Sequence, residues 1–260
     1  MDRHPATFLD MDQLGSQYPP YQPTFRFAGA FIDGFHESLA RSPVKNGILV
    51  QLRNRRWFGS RIPGWLRRAD ALKLYEIAYF VQGDVLELGS YHGLSTTILS
   101  RAGHNSPYKK HVYSVDLNPR CVRAARHNLA ARGLGGNVTS ICGDAADAVR
   151  ALIAQGKRFA LVFVDHSHTY EDVYRVCREL GEVTMQGGFC LFHDFNDSRN
   201  RDPENAAYGV YQAVMDGLGT AEFEFYGVYG CTALYRSTPS GTQNEENRAA
   251  ASVEVLRGCG

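Results

Sequence analysis

The stretch that most constrains the fold is VLELGSYHGLSTTILS, residues 85–100. A short apolar run containing Glu87 leads into a glycine turn at residues 89–93, and a segment with helical spacing opens at Leu94. This order predicts a buried parallel strand, a tight turn and a helix whose N-terminus faces a ligand. Glycine suits such a turn because it has no Cβ to clash when the backbone bends sharply or a ligand approaches.

The same pattern of strand, polar residue and helix repeats along the chain. Further strands are predicted at 111–115, 138–142, 159–164 and 188–192, and the acids that follow them are Asp116, Asp144, Asp165 and Asp194. The run FALVFV at 159–164 is apolar throughout, as expected for a parallel strand buried on both faces. Open α/β sheets bind ligands at the carboxyl ends of their strands, so we expect a site there.

Helices are predicted between these strands and after them. They cover about 69–80, 94 onward, 119–131, 145–154, 169–180 and 208–218. A polar loop over the site is expected at 195–207, and two alternating segments at 223–228 and 232–235 are expected to pair as a terminal antiparallel hairpin. Residues 1–62 are predicted to be an N-terminal arm with a helical and arginine-rich extension, and residues 237–260 a disordered tail.

Charge and cysteine content exclude several classes of protein. The chain has 28 basic and 27 acidic side chains, so no overall field favours nucleic acid or anionic lipid. No apolar run reaches the length that spans a bilayer, and the N-terminal residues lack the apolar core of a secretory signal. The cysteines lack metal-site spacing, and Cys142 and Cys190 sit in apolar runs as small hydrophobes. We therefore expect a reducing cytoplasm, with no disulfide framework and no zinc site.

Residues 51–68, QLRNRRWFGSRIPGWLRR, hold six arginines and both tryptophans. They could clamp a phosphate or carboxylate, or contact nucleic acid through arginine and stacked aromatic rings. The third reading is a solvated loop that Trp57 and Trp65 anchor to the domain. The balanced charge of the whole chain favours this third reading.

Five or more parallel units followed by an antiparallel hairpin resemble the class I S-adenosylmethionine (SAM)-dependent methyltransferases, over about residues 63–236. The motifs LELGSYHGLST, FVDHSHTYEDV and LFHDFND resemble small-molecule O-methyltransferases related to macrocin O-methyltransferase, and cephalosporin-hydroxylase-like proteins share the pattern. The resemblance implies a Rossmann-like α/β fold with a mostly parallel seven-stranded sheet, a C-terminal antiparallel hairpin and helices on both faces. One departure is Tyr91, which stands where E-x-G-x-G-x-G has its middle glycine.

The resemblance also implies where SAM binds. The expected cofactor-binding residues are Glu87, Gly89, Ser90, Tyr91, Gly93, Ser95, Thr96, Asp116, Leu117, Asp144, Ala145, Asp165 and His166. Glu87 and the glycine turn should hold the methionine part, Asp116 both ribose hydroxyls, and Asp144 with Ala145 the adenine amino group. Helix N-capping is an alternative role for Asp116 and Asp144. A nicotinamide-binding Rossmann domain is the alternative for the turn, although G-x-G-x-x-G is absent.

Methyl transfer requires an acceptor oxygen aligned with the methyl carbon and deprotonated by the transition state. The resemblance implies a divalent cation, Mg²⁺ or another, held by Asp165 and Asp194, and His168 as the base. His193 stands where related enzymes carry an acid, so it could ligate, act as a second base or hydrogen-bond. The expected catalytic residues are therefore His168, Asp165 and His193, and the expected metal ligands are Asp165, Asp194 and His193. Alternatively, His166 and His168 cap the helix that follows them.

Together these features predict an O-methyltransferase that moves a methyl group from SAM to a hydroxyl of a small molecule, a sugar or a natural product. The rival hypotheses are a nucleic-acid methyltransferase that uses the arginine-rich segment, a non-catalytic SAM-binding module, and a hydroxylase. The last lacks a convincing facial triad of two histidines and a carboxylate. We expect a cytoplasmic homo-oligomer, a dimer or higher, with a small-molecule substrate and neither membrane nor nucleic acid as partner.

Overall fold

The structure is a computed structural model that describes residues 51–52, 55, 61–202, 204–219 and 222–238. The predicted N-terminal arm, much of the arginine-rich stretch and the tail after residue 238 lie outside these residues. Within the described part of the chain, helices alternate with strands as the repeated sequence pattern predicts.

The helices are α1 (Arg68–Phe80), α2 (Leu94–Asn105), α3 (Pro119–Ala130), α4 (Ala145–Ala154), α5 (Tyr170–Cys177), α6 (Leu180–Val183) and α7 (Val210–Gly217). The strands are β1 (Val85–Leu88), β2 (Val112–Asp116), β3 (Val138–Cys142), β4 (Phe159–Val164), β5 (Thr184–Phe192), β6 (Phe223–Tyr229) and β7 (Thr232–Ser237). Two single turns of 3₁₀ helix occupy Gly135–Asn137 and Ser198–Arg201. No helix in the described residues combines the length and apolarity needed to cross a bilayer.

The strands form one seven-stranded sheet in the order β3-β2-β1-β4-β5-β7-β6. Strands β1 to β5 are mutually parallel, and β7 runs antiparallel to both β5 and β6. The chain moves from β1 outward to β2 and β3, then returns to place β4 on the other side of β1. Such a reversal opens a crevice at the carboxyl ends of the strands. The predicted mostly parallel sheet with its terminal hairpin is confirmed.

Apolar side chains cover both faces of the sheet. On one face the core packs against α4, α5 and α7, and on the other against α1 and α2. The central strand β4 is buried at every residue, with Val162 and Val164 facing one cluster and Leu161 and Phe163 the other. Burial on two faces explains why this strand reads as an unbroken apolar run.

Three details differ from the prediction. The helix expected at 169–180 ends at Cys177 and is followed by the short α6, and β5 begins at Thr184 instead of residue 188. The reading of Cys142 as a buried small hydrophobe is wrong, because Cys142 is exposed at the end of the edge strand β3. An edge strand has only one neighbour to cover it, whereas Cys190 lies in β5 and is fully buried.

Candidate functional site

Two adjoining pockets open at the carboxyl ends of the parallel strands. The larger has a volume of about 520 Å³ and lies over the ends of β1, β4 and β5. The smaller, of about 160 Å³, lies over the ends of β2 and β3. Gly89 and His166 line both pockets. The two pockets therefore form one elongated crevice across the switch point of the sheet.

The glycine turn shapes the middle of this crevice. Gly89 has φ +102°, and a Cβ placed on it would lie 2.1 Å from the carbonyl oxygen of Asp165. Gly93 has φ +89° and is the residue that precedes α2. The turn thus brings the end of β1 against the end of β4 more closely than any side chain would allow. Leu94 and Ser95 of α2 also line the larger pocket, so the N-terminus of that helix faces it.

Tyr91 takes a left-handed backbone conformation, with φ +43°, inside this turn. Its ring is half exposed and stacks on His92, and its backbone N–H donates to Asp116 Oδ2 at 2.7 Å. Asp194, with φ +57°, is the other non-glycine residue with positive φ among the described residues. Both line the larger pocket, so backbone strain of this kind is concentrated at the crevice.

Glu87 lies beneath the turn and does not line either pocket. Its carboxylate is fully buried and accepts hydrogen bonds from Thr96 Oγ1 and Ser114 Oγ, each at 2.5 Å. Burial raises the pKa of Glu87 to about 7, although the hydroxyls of Ser114, Ser95 and Thr96 oppose that rise. Glu87 and Thr96 were both expected to bind the cofactor. Here they tie β1 to β2 and α2 behind the turn.

The buried Glu87 should make stability fall as pH rises. Its folded pKa of about 7 lies above the ordinary value of 4.5, so the folded state keeps a proton that the unfolded state releases. The stability that this proton contributes is present below about pH 4.5 and is lost by about pH 7. A Glu87→Gln variant does not titrate. We therefore compare the free energy of unfolding in urea. Between pH 4.5 and pH 8 that of the natural protein should fall relative to that of the variant by up to about 3 kcal/mol. Parallel pH profiles would contradict this.

The smaller pocket is lined by the predicted nucleoside-binding residues. Asp116 Oδ1 accepts the N–H of Asn118 at 2.8 Å, and the neighbouring Leu117 is 71% exposed. Asn118 itself caps α3, so the alternative role of Asp116 as the helix cap does not hold. Asp144 does cap α4, accepting the N–H of Asp147 at 3.0 Å. Asp144 therefore caps the helix and also lines the smaller pocket.

Arg175 also approaches Asp144 from α5, with its guanidinium nitrogen 3.1 Å from Asp144 Oδ1. Burial alone would raise the pKa of Asp144, but the N–H of Asp147 and the Arg175 guanidinium lower it overall. The floor of the smaller pocket therefore carries a carboxylate that is ionised at neutral pH.

A cluster of two carboxylates and two imidazoles lies against the larger pocket. Asp165 follows β4 and Asp194 follows β5. His168 Nε2 is 3.0 Å from Asp194 Oδ2. His193 Nδ1 is 3.1 Å from Asp165 Oδ1 and 3.5 Å from Asp194 Oδ1. Thr169 caps α5, so neither His168 nor the neighbouring His166 has the alternative capping role.

Two residues beside this cluster had no recognisable signal in the sequence. The hydroxyl of Tyr208 donates to Asp194 Oδ2 at 2.5 Å, and its ring stacks on His168 with centroids 4.8 Å apart. Arg199 also lies over the Tyr208 ring, 4.0 Å from its centroid, and pairs with Asp197. The stack of His168, Tyr208 and Arg199 forms one wall of the larger pocket.

Burial and neighbouring charges set the protonation of the histidines and of Asp194. Burial lowers the pKa of His166 to about 4, and its Nε2 makes no hydrogen bond within the described residues. Burial would also lower the pKa of His193, but Asp165 and Asp194 raise it well above its ordinary value. Burial would raise the pKa of Asp194, yet His193, His168 and Tyr208 hold it well below the usual range. His166 is therefore neutral, whereas His193 is a cation between two carboxylates.

The donor set of the cluster suits a hard divalent cation. Asp165, His168 and Asp194 can each offer one ligand atom, and these atoms lie within 4.8 Å of one another. Carboxylate oxygens are the ligands that Mg²⁺ prefers. This set of possible ligands includes His168, whereas the predicted set had His193 beside the same two aspartates. His193 instead joins a second, buried group with Asp70 and Cys231.

The described crevice also fits SAM. The smaller pocket carries acidic acceptors and an exposed leucine, and His166, whose Nε2 makes no hydrogen bond to any described residue, lines both pockets. In the larger pocket, the glycine turn presents backbone groups at the N-terminus of α2. Of the predicted cofactor-binding residues, the structure brings all but Glu87, Gly93 and Thr96 to the lining of one pocket or the other.

Comparison with known proteins gives the same answer for the fold. Residues 86–195 match the family model described as a methyltransferase domain, Methyltransf_24. The O-methyltransferase TomG from Streptomyces achromogenes, solved with SAM, is 20% identical, with a TM-score of 0.57 over 67% of this chain and 82% of that one. Cofactor-bound Rv0187 from MTB is 18% identical, with a TM-score of 0.59 over 79% of this chain and 95% of that one. No curated protein sequence matches the chain.

A third solved structure, the O-methyltransferase from Bacillus cereus in complex with SAH, is 12% identical, with a TM-score of 0.51 over 87% of this chain and 96% of that one. These likenesses establish the fold, and the family model covers the glycine turn and both carboxylates of the cluster. Residues 86–195 thus match a methyltransferase domain, and the sheet around them has the class I methyltransferase fold.

Proposed function

We propose that this protein is an O-methyltransferase that moves the methyl group of SAM to a hydroxyl of a small molecule. The observation that carries the proposal is the placement of the carboxylate–imidazole cluster. It lies beside the glycine turn, in the same crevice as Asp116 and Asp144, the acids predicted to bind the nucleoside. A group that can remove a proton therefore faces the place where the methyl group would be presented.

The chain's own residues account for cofactor binding in this proposal. Asp116 would accept hydrogen bonds from the ribose hydroxyls through lone pairs that Tyr91 N–H and Asn118 N–H leave free. Leu117 would cover the adenine, and the glycine turn would receive the amino-acid end of SAM.

In the proposed reaction, a lone pair of the acceptor oxygen attacks the methyl carbon while the carbon–sulfur bond breaks, which leaves neutral S-adenosylhomocysteine (SAH). The hydroxyl proton goes to His168. The contact between His168 Nε2 and Asp194 Oδ2 favours the tautomer with its proton on Nε2, so Nδ1 would accept the proton. Asp194 then stabilises the imidazolium that forms, and Tyr208 holds Asp194 in place.

A divalent cation, Mg²⁺ or another, would be held by Asp165 and Asp194. When bound, it would lower the pKa of the acceptor hydroxyl. The proposed acceptor is a hydroxylated sugar or natural product, because the motifs resemble enzymes of that group. A cytoplasmic homo-oligomer without a nucleic-acid or membrane partner stays a prediction.

The test has two parts. Calorimetry with SAH should show a saturable site, and an Asp116→Ala variant should bind SAH about 10–100-fold more weakly, since charged hydrogen bonds are lost. Methyl-labelled SAM should then transfer label to an oxygen when hydroxylated metabolites are screened by mass spectrometry, with and without Mg²⁺. Label on nitrogen or carbon would overturn the choice of acceptor. Full activity after exhaustive chelation would overturn the metal.

A further inference from the structure

Asp70 is a buried carboxylate that lies before the matched methyltransferase domain, in the first turn of α1. Its Oδ1 accepts the backbone N–H of Cys231 and the hydroxyl of Thr232, both at 2.8 Å. Its Oδ2 accepts the backbone N–H of Arg67 at 2.9 Å. The turn at Gly230 leaves room for this carboxylate, since a Cβ there would lie 2.4 Å from Asp70 Oδ1. Asp70 is thus fixed from both sides, by α1 and by the turn between β6 and β7.

Cys231 connects this carboxylate to the cluster in the crevice. Its Sγ lies 3.6 Å from Asp70 Oδ2, 3.4 Å from His193 Nε2 and 3.5 Å from Asp194 Oδ1. His193 Nε2 is itself 3.9 Å from Asp70 Oδ2. Cys231, Asp70 and His193 are all buried, so water does not compete for these contacts.

The His193 ring therefore faces different partners along its two nitrogen edges. Nε2 faces Asp70 and Cys231, and Nδ1 faces Asp165 and Asp194, which are the two carboxylates of the crevice. Residues behind a ligand or base commonly set its orientation, and removing them weakens metal binding or activity.

We propose that Asp70 and Cys231 are positioning residues, which hold the His193 ring so that its Nδ1 fixes the spacing of Asp165 and Asp194. This inference rests on the proposed function, in which those two carboxylates hold a cation and orient the base. It adds that α1 and the terminal hairpin, both outside the matched domain, complete the catalytic end of the crevice.

The experiment uses the full chain and the variants Asp70→Asn and Cys231→Ser. Thr232→Val is the matched control, because it removes a donor to the same Asp70 oxygen and leaves the contacts of His193 and Asp194 described above in place. The nitrogen-15 imidazole resonances of His193, assigned with a His193→Gln variant, report the ring directly. Calorimetry with Mn²⁺ alone measures metal binding by Asp165 and Asp194, and calorimetry with SAH measures the affinity of the cofactor site.

Both Asp70→Asn and Cys231→Ser should shift the His193 resonances and weaken Mn²⁺ binding about 10–100-fold, with SAH affinity retained. Thr232→Val should lower the melting temperature but leave the His193 resonances and the Mn²⁺ affinity unchanged. If the two variants behave like Thr232→Val, Asp70 only secures the hairpin and the proposal is wrong. Zn²⁺ binding that Cys231→Ser removes and Asp165→Asn keeps would also overturn it, since the buried group would then be a metal site. If the natural protein does not bind Mn²⁺, the metal of the proposed function fails, and the His193 resonances alone decide this inference.

Discussion

Replacing His168 with alanine is expected to slow methyl transfer by about 10²–10⁴-fold, the usual contribution of a positioned general base. The reason is geometric. His168 lines the larger pocket, its Nε2 lies 3.0 Å from Asp194 Oδ2, and its ring stacks on that of Tyr208. SAH affinity should be unchanged, because the residues expected to bind SAH lie along the turn and the smaller pocket. The rate is measured by single-turnover transfer of labelled methyl to the identified acceptor.

A second variant separates proton transfer from packing. His168→Gln can still donate to Asp194 and lie against Tyr208, but it cannot accept the hydroxyl proton at neutral pH. It should therefore be as slow as His168→Ala, and added imidazole should restore part of the rate to the alanine variant only. A glutamine variant with the natural rate would show that His168 serves only to position Asp194. A parallel loss of Mn²⁺ affinity in both variants would instead make His168 a ligand.

Gly89→Ala is expected to destabilise the fold by about 2–5 kcal/mol and to abolish measurable SAH binding. Two costs combine at this position. The left-handed φ of +102° disfavours any side chain, and the new Cβ would meet backbone atoms of Asp165 and His166 at 2.1 to 2.7 Å. Backbone at the end of a central strand cannot move aside as a flexible side chain can. Urea unfolding and calorimetry with SAH measure the two effects.

Gly133→Ala is the matched control for this variant. Gly133 also has a left-handed φ, of +66°, but a Cβ there meets nothing within 4 Å. It should cost only about 1–2 kcal/mol, the conformational term alone, and leave SAH binding intact. Equal losses in the two variants would mean that close approach to β4 contributes nothing. SAH binding by Gly89→Ala with unchanged affinity would remove the turn from the cofactor site.

Most of the fold was predictable because its signals are local. A few neighbouring residues are enough to predict an element. Examples are the apolar run of β4, the proline at the start of α3 and the glycine turn after β1. The failures have a spatial cause. Cys142 is exposed because β3 is an edge strand, and the order of strands in a sheet cannot be predicted from one segment of the sequence.

The candidate site divides in the same way. The acids that follow the strands could be found from the sequence, since each occurs at a fixed place in a repeated unit. Tyr208 and Asp70 could not, because each meets the cluster only through tertiary packing. Glu87 was recognised by its place in the motif. Its burial beneath the turn depends on Thr96 and Ser114, which lie on two other elements.

The bond between Asp70 and the backbone of Cys231 joins residues that are 161 positions apart in the chain. Contacts of such long range are slow to form, because the entropy of closing the intervening loop must be overcome first. The glycine turn and Asp116, by contrast, are 25 positions apart at their hydrogen bond. We therefore expect a nascent chain to assemble its cofactor turn early and its proton-accepting end last. The enzyme would then become active only after α1 and the terminal hairpin have packed together.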